Sequence, residues 1–375
     1  MKVLYVCHIA NRYGANRSLI EMLIELIPLG ISPHVVVPKQ DSLLSDLEDN
    51  KIPFSITPID WWVEPTDSRR STRQIEEFLS QSPSHELLEI AAKCKPDLVH
   101  TNSGVTAEGF HLARHLQLPH IWHLREMGEL DYGLSFSYDK AACVEILLSS
   151  SACICNSQAT QKAYFGDIPP TNCIVLHNPV RPPSPPLNQR RLRRDKIQLL
   201  TMGHMSKFKG HHHAISALAT LLRRGVHCSL TIVGGGLGEY RDYCVQLSKE
   251  LKVEHLITFA GDVSEPWSYF QDADIFLHCA TNEAFGRVTV EAILARCPVV
   301  ARASGGTPEI ITNRENGFLF NDPDEIPQLI QQVTQTPNLT AITENGYQQA
   351  VERFDPAFHA KKVRDLYTSI ARHPS

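Results

Sequence analysis

The chain has 375 residues, 42% hydrophobic and 21% charged. Such a composition excludes wholesale disorder and a fibrous architecture, and the length leaves room for two or three domains of roughly 150 residues. Thirty-six Lys and Arg against 41 Asp and Glu give a net charge of −5, which argues against a protein built to coat nucleic acid.

No apolar run reaches the roughly 18 residues of a spanning helix. Residues 1–7 read as a short apolar strand with no cleavage signal behind it, not as a secretory leader. Ten cysteines are scattered without a CxxC pair, so buried reduced thiols are expected and the cytoplasm is the expected compartment.

In chain order, short β-branched runs alternate with longer amphipathic stretches, which predicts βα units around parallel sheets. Residues 3–8 read as a strand, followed by a helix over 16–29 with Leu19, Leu23, Leu26 and Ile27 at core-facing spacing. Further strands are predicted at 34–38, 98–101, 121–123, 152–156 and 174–177. The proline-rich stretch at 179–186 and Arg190, Arg191, Arg193 and Arg194 then interrupt the pattern. We read 181–195 as a linker: a solvated one, with contact to anionic lipid as the alternative. A second series begins at 199–203, with a helix at 211–224 stopped by Gly225 and strands at 229–233, 257–260, 275–278 and 299–301. The predicted fold is α/β: two doubly wound Rossmann-like domains, 1–180 and 196–353, facing a cleft. A closing helix over 354–375 carries Phe358, Val363, Leu366 and Ile370 at helical spacing. Ligands are expected beyond the carboxyl ends of the strands.

Three loops of the second domain concentrate chemistry at that edge. The predicted strand 275–278 runs into Glu283-Ala284-Phe285-Gly286, and a helix starts near Arg287 with Val288 and Glu291 in or just past its first turn. Unpaired N–H groups at such a helix start attract anions. Glu283 and Glu291 would then accept hydrogen bonds from sugar or ribose hydroxyls; the plainer alternative is two solvated glutamates favoured by the helix dipole. The strand at 299–301 leads to Ser304-Gly305-Gly306-Thr307-Pro308-Glu309, whose glycines permit close backbone approach. Gly203-His204 opens a loop that offers Lys207 and Lys209. Gly234-Gly235-Gly236 lacks the spacing of a dinucleotide fingerprint, because Glu239 stands where its last glycine would be. Two Asp-x-Asp pairs, Asp272/Asp274 and Asp322/Asp324, fall at a strand start and a helix cap. His211, His212 and His213 diverge around a helix, so no metal site is expected.

The Glu283-x7-Glu291 block, Gly305-Gly306-Thr307-Pro308-Glu309-Ile310 and Lys209-Gly210 resemble the nucleotide-sugar domain of glycosyltransferase family four, retaining enzymes of the GT-B fold. Tyr13-Gly14-Ala15-Asn16 is similar to the family's first glycine loop, and Asp97-Leu98-Val99-His100-Thr101-Asn102, His123-Leu124-Arg125-Glu126, Asn156 and His177-Asn178-Pro179 follow its later landmarks in order. The resemblance implies a metal-independent retaining glycosyltransferase of hexosyltransferase type, with a nucleotide-diphosphate sugar as co-substrate and no resident cofactor. It implies a glycan, lipid-linked or small-molecule acceptor, as in cell-surface polysaccharide biosynthesis, with peripheral membrane contact an option and no nucleic-acid partner. Glu291 would hold the ribose, Glu283 the transferred sugar, and Lys209 the diphosphate. Gly14, Gly203, His204, Gly234, Ala284, Phe285, Gly286, Arg287 and Val288 would line the donor. His123 would meet the donor sugar or acceptor from a strand's carboxyl end, a satisfied structural histidine being the alternative. Arg125 and Glu126 read either as an ion pair or as acceptor contacts, and Asn156 and Asn178 as architectural caps. Tyr13 replaces the family's first glycine, and His204 stands where an arginine is common. Two further functions stay open: a sugar-nucleotide epimerase of the same fold, which the Glu-x7-Glu block disfavours, and a non-catalytic sugar-nucleotide-binding subunit.

Overall fold

A computed structural model describes residues 1–67, 74–187, 196–236 and 238–372. The four arginines between 190 and 194, Arg69, Arg70 and Leu237 lie outside the described residues. The chain divides into two compact units, Met1–Arg181 with Phe354–Ser375, and Pro182–Arg353.

The first unit is built on a seven-stranded sheet in the order β3-β2-β1-β5-β6-β8-β9. Its strands are β1 (Lys2–Val6), β2 (Ser32–Val37), β3 (Phe54–Ile56), β5 (Leu98–Thr101), β6 (His120–Leu124), β8 (Ala152–Cys155) and β9 (Cys173–Val175), all paired in parallel. Helices cover both faces, so the strands read as near-continuous apolar runs, as Leu4, Tyr5 and Val6 do. A separate antiparallel pair joins β4 (Val63–Pro65) to β7 (Leu134–Phe136). There Trp62 is buried against Trp122, with ring centroids 5.5 Å apart, while its neighbour Trp61 is 46% exposed.

The second unit holds a six-stranded parallel sheet in the order β12-β11-β10-β13-β14-β15. Its strands are β10 (Ile197–Met202), β11 (Cys228–Val233), β12 (Ile257–Gly261), β13 (Ile275–His278), β14 (Val299–Arg302) and β15 (Phe318–Phe320). Strand order reverses between β10 and β13, which makes their carboxyl ends the switch point where such sheets bind ligands.

The closing helix, Pro356–Arg372, packs in the first unit against the first helix, Gly14–Leu26, with Val363 and Tyr367 joining the core of Tyr5, Leu19 and Leu23. Two predicted core positions turn outward. Ile27 lies in a 3-10 turn ended by left-handed Gly30, and Phe358 is 51% exposed, because the buried stripe runs through Ala360, Val363 and Tyr367.

Beneath the closing helix the core is polar. Tyr367 Oη lies 3.0 Å from Tyr5 Oη and 2.7 Å from His100 Nδ1. His359 Nδ1 reaches the His177 carbonyl at 2.9 Å. The His123 ring lies between those of His100 and His359, with centroids 5.4 and 6.2 Å away. Burial, reinforced by the Arg125 guanidinium, holds all three histidines below their ordinary value, His359 at about 3. The unfolded chain takes up these protons near pH 6.5 and the folded chain does not. Stability is therefore full above about pH 6.5 and falls with pH below it. Urea unfolding from about pH 7 down to about pH 4 should show that decline, and His359→Phe should flatten it.

Candidate active site

The switch-point loops of the second unit are docked on one another through backbone. After β10, residues Lys207–Lys209 form a 3-10 turn ended by Gly210 at φ 68°. A side chain at Gly210 would overlap the Cys279 carbonyl, and the Thr281 N–H donates to the Phe208 carbonyl at 2.9 Å. The loop after β13 is clasped from its other side by the loop after β14. The Gly306 N–H donates to the Glu283 carbonyl at 2.7 Å, and side chains at Gly305 or Gly306 would collide with the backbone of Glu283 or Ala284. The glycine pair is thus required by this contact between two loops of the chain. Gly286, at φ 96°, then turns the chain into the helix Arg287–Leu294.

That docking sets Lys209 Nζ 2.7 Å from Glu283 Oε2, with side chains only 15% and 13% exposed. His278, the buried last residue of β13, brings Nε2 to 3.3 Å of the same oxygen. Burial alone would raise the Glu283 carboxyl, but the charge and hydrogen bond of Lys209, with the His278 ring close by, outweigh it and bring it down to about 2. Glu283 is therefore a fixed anion.

Glu291 is fully buried, and Arg287 Nε lies 2.9 Å from its Oε1, one turn away on the same helix. Its carboxylate is not presented to solvent. Ala284 and Phe285 are buried, Val288 and Gly203 half-buried, and His204 exposed. Gly234 permits close approach of the β10 and β11 loops, since a side chain there would overlap the Gly203 carbonyl. The next N–H, of Gly235, donates to Asp262 Oδ1 at 2.6 Å. Asp262 and His278 were not singled out by sequence reasoning. Asp262 carries no local signal, while His278 carried one, a polar residue ending an apolar strand.

Of the discounted acidic pairs, Asp274 accepts from the Gln198 N–H, and Asp322 forms a capping box with Glu325. Among the described residues no group of three or more His, Cys, Asp or Glu could hold a metal ion.

In the first unit Gly14 opens the first helix, where the Tyr13 carbonyl accepts the N–H groups of Asn16 and Arg17. His123 does not stand at the carboxyl edge of its strand as expected. β6 runs one residue further, to Leu124, and the fully buried His123 faces His100 and His359 beneath the closing helix. Arg125 takes the edge position instead. Its Nε donates to Asn102 Oδ1 at 3.0 Å and its Nη1 to Asn178 Oδ1 at 2.5 Å, while Asn156 Nδ2 donates to its carbonyl at 2.8 Å. Glu126 turns to Ser103 and the Gly104 N–H; burial pushes it up to about 7 against those hydrogen bonds.

Two parallel-sheet units with loops of this kind define the GT-B class of glycosyltransferase fold. Residues 13–184 match the family described as Glycosyltransferase Family 4, and residues 187–349 match Glycosyl transferases group 1. The chain belongs to the family-four type of GT-B glycosyltransferase. It is similar to an uncharacterised glycosyltransferase of Methanocaldococcus jannaschii, 26% identical across 73% of this chain and 75% of that one. It is 29% identical to the lipopolysaccharide core biosynthesis glycosyltransferase LpsE of Rhizobium meliloti, across 47% of this chain and 50% of the relative. A D-inositol 3-phosphate glycosyltransferase of Corynebacterium urealyticum is 30% identical across 46% of this chain and 43% of its own. The crystal structure of Anabaena HepE in complex with UDP and glucose shares the fold, with TM-score 0.78 over 98% of this chain and all of that one, at 20% identity.

Removing Lys209 leaves a buried carboxylate without its main counter-charge. Lys209→Met should destabilise the protein by about 3 kcal/mol, and adding Glu283→Gln should recover most of the loss in chemical denaturation. Because Glu283 is depressed from 4.5 to about 2, its share of stability is complete above pH 4.5 and is lost as pH falls through 2; Glu283→Gln should remove that segment of the acid dependence.

Proposed function

We propose that this glycosyltransferase moves a sugar from a nucleotide-diphosphate sugar to a glycan, lipid-linked or small-molecule acceptor, with retention of anomeric configuration and without a metal ion. The observation that carries the reading is the buried Lys209–Glu283 pair, 2.7 Å long, at the switch point of the second sheet. Glu283 stays ionised and accepts hydroxyl groups of the transferred sugar. The ammonium of Lys209 donates to Glu283 at 2.7 Å and carries a full positive charge to the place where the β-phosphate would sit. As the bond from the anomeric carbon to the phosphate oxygen breaks, negative charge grows on that phosphate, and a fixed cation stabilises it. N–H groups at the start of the helix Arg287–Leu294 add to this. The acceptor oxygen forms its bond to the anomeric carbon on the face the phosphate leaves, and the departing phosphate takes the acceptor proton. No enzyme nucleophile is used.

Glu291 takes the ribose hydroxyls, with Gly203, His204 and Gly234 beside the nucleotide. His123 drops out of direct ligand contact, since its ring is wholly buried. Peripheral membrane contact is a matter for the acceptor, and among the described residues no helix is long and apolar enough to cross a membrane.

The UDP held by Anabaena HepE makes uridine diphosphate sugars the first donors to test. A thermal-shift and transfer screen across nucleotide sugars, with and without EDTA, is the decisive measurement. One donor should stabilise the protein, and transfer should persist in EDTA with a retained anomer. Glu283→Ala and Lys209→Ala should each lower kcat by on the order of a hundredfold. Loss of turnover in EDTA, an inverted product, or wild-type rates in both variants would overturn the reading.

A further inference from the structure

His278 is an imidazole without evident work. It is 3% exposed at the end of β13, and Nε2 has no hydrogen-bond partner. A buried polar atom left so is costly unless something nearby compensates. What Nε2 faces is Glu283 Oε2, 3.3 Å away, the oxygen that Lys209 Nζ already holds at 2.7 Å. Glu283 Oε1 accepts no hydrogen bond among the described residues.

We infer that His278 is the positioning residue of this site: with Lys209 it occupies one carboxylate oxygen of Glu283, so that the other alone is offered to a hydroxyl of the transferred sugar. This rests on the sugar-holding role of Glu283 proposed above. The terminal torsion of a glutamate is soft and roughly two-fold, so an unanchored carboxylate turns freely. Lys209 is a point charge on a flexible stem and follows such a turn. The imidazole does not, because it stands on a buried strand against Phe276, with ring centroids 6.2 Å apart and planes at 28°. Holding Oε2 from a fixed direction requires the proton on Nε2 of His278. With a single oxygen left, a donor whose matching hydroxyl is inverted loses its acceptor, and the site discriminates between sugar epimers.

The test compares His278→Leu with His278→Gln, whose amide nitrogen can reach the place of Nε2. His278→Leu should lower kcat about tenfold with little change in donor KM. It should also narrow the rate ratio between the preferred donor and its epimer, and His278→Gln should restore both. Thermal unfolding checks that each variant folds. Equal defects in folded Leu and Gln variants, or no change in the epimer ratio, would overturn the inference. A second readout needs no turnover, so it separates this inference from the transferase reading. Long-range nitrogen–proton NMR, assigned through the His278→Leu spectrum, should show the proton on Nε2 and a shifted imidazole in Glu283→Gln. A proton on Nδ1, or an imidazole indifferent to Glu283→Gln, would sink the positioning role whatever the enzyme transfers.

Discussion

The constraint on which the second unit's chemistry depends is a carboxylate kept ionised out of water. Glu283 is mostly buried and would by itself prefer to be neutral. Lys209 reverses that preference, and it arrives from a different loop, so the pair exists only while the loops after β10 and β13 stay docked. Gly210, Gly305 and Gly306 serve that docking, since each sits where a side chain would strike the neighbouring backbone. Backbone contact sets the spacing, the spacing sets the ion pair, and the ion pair sets the charge.

The first unit solves the opposite problem. Its polar core under the closing helix holds His100, His123 and His359 neutral beside a buried Arg125. Positive charge is thereby concentrated on one guanidinium at the carboxyl edge, braced by Asn102 and Asn178. Of the two asparagines read from the sequence as caps, Asn178 accepts from this arginine and Asn156 donates to its carbonyl.

Sequence legibility followed the strength of the local signal. β5 and β13 were read with both ends correct, because each opens on apolar residues directly after an aspartate and closes on a polar one, Thr101 or His278. β3, β4, β7 and β15 were missed; at three residues each they carry no periodicity, and tertiary pairing alone defines them. The Glu283 loop, the glycine pair and Lys209 were all found in the sequence, but not that Lys209 spends a donor on Glu283, a contact between residues 74 positions apart. His123 shows how little separates the two outcomes. An end misplaced by one residue moves a side chain from the sheet's edge into its core.

The chain leaves the first unit at Arg181 and returns to it at Phe354, so the second unit is an insertion within the first. During synthesis the second unit's sheet is complete once β15 has emerged. The first unit must wait for Val363 and Tyr367, which close the core of Tyr5 and Leu23. The unit begun first is completed after the second, and its Tyr5, His100 and His123 meet their lid only once the helix Pro356–Arg372 has emerged.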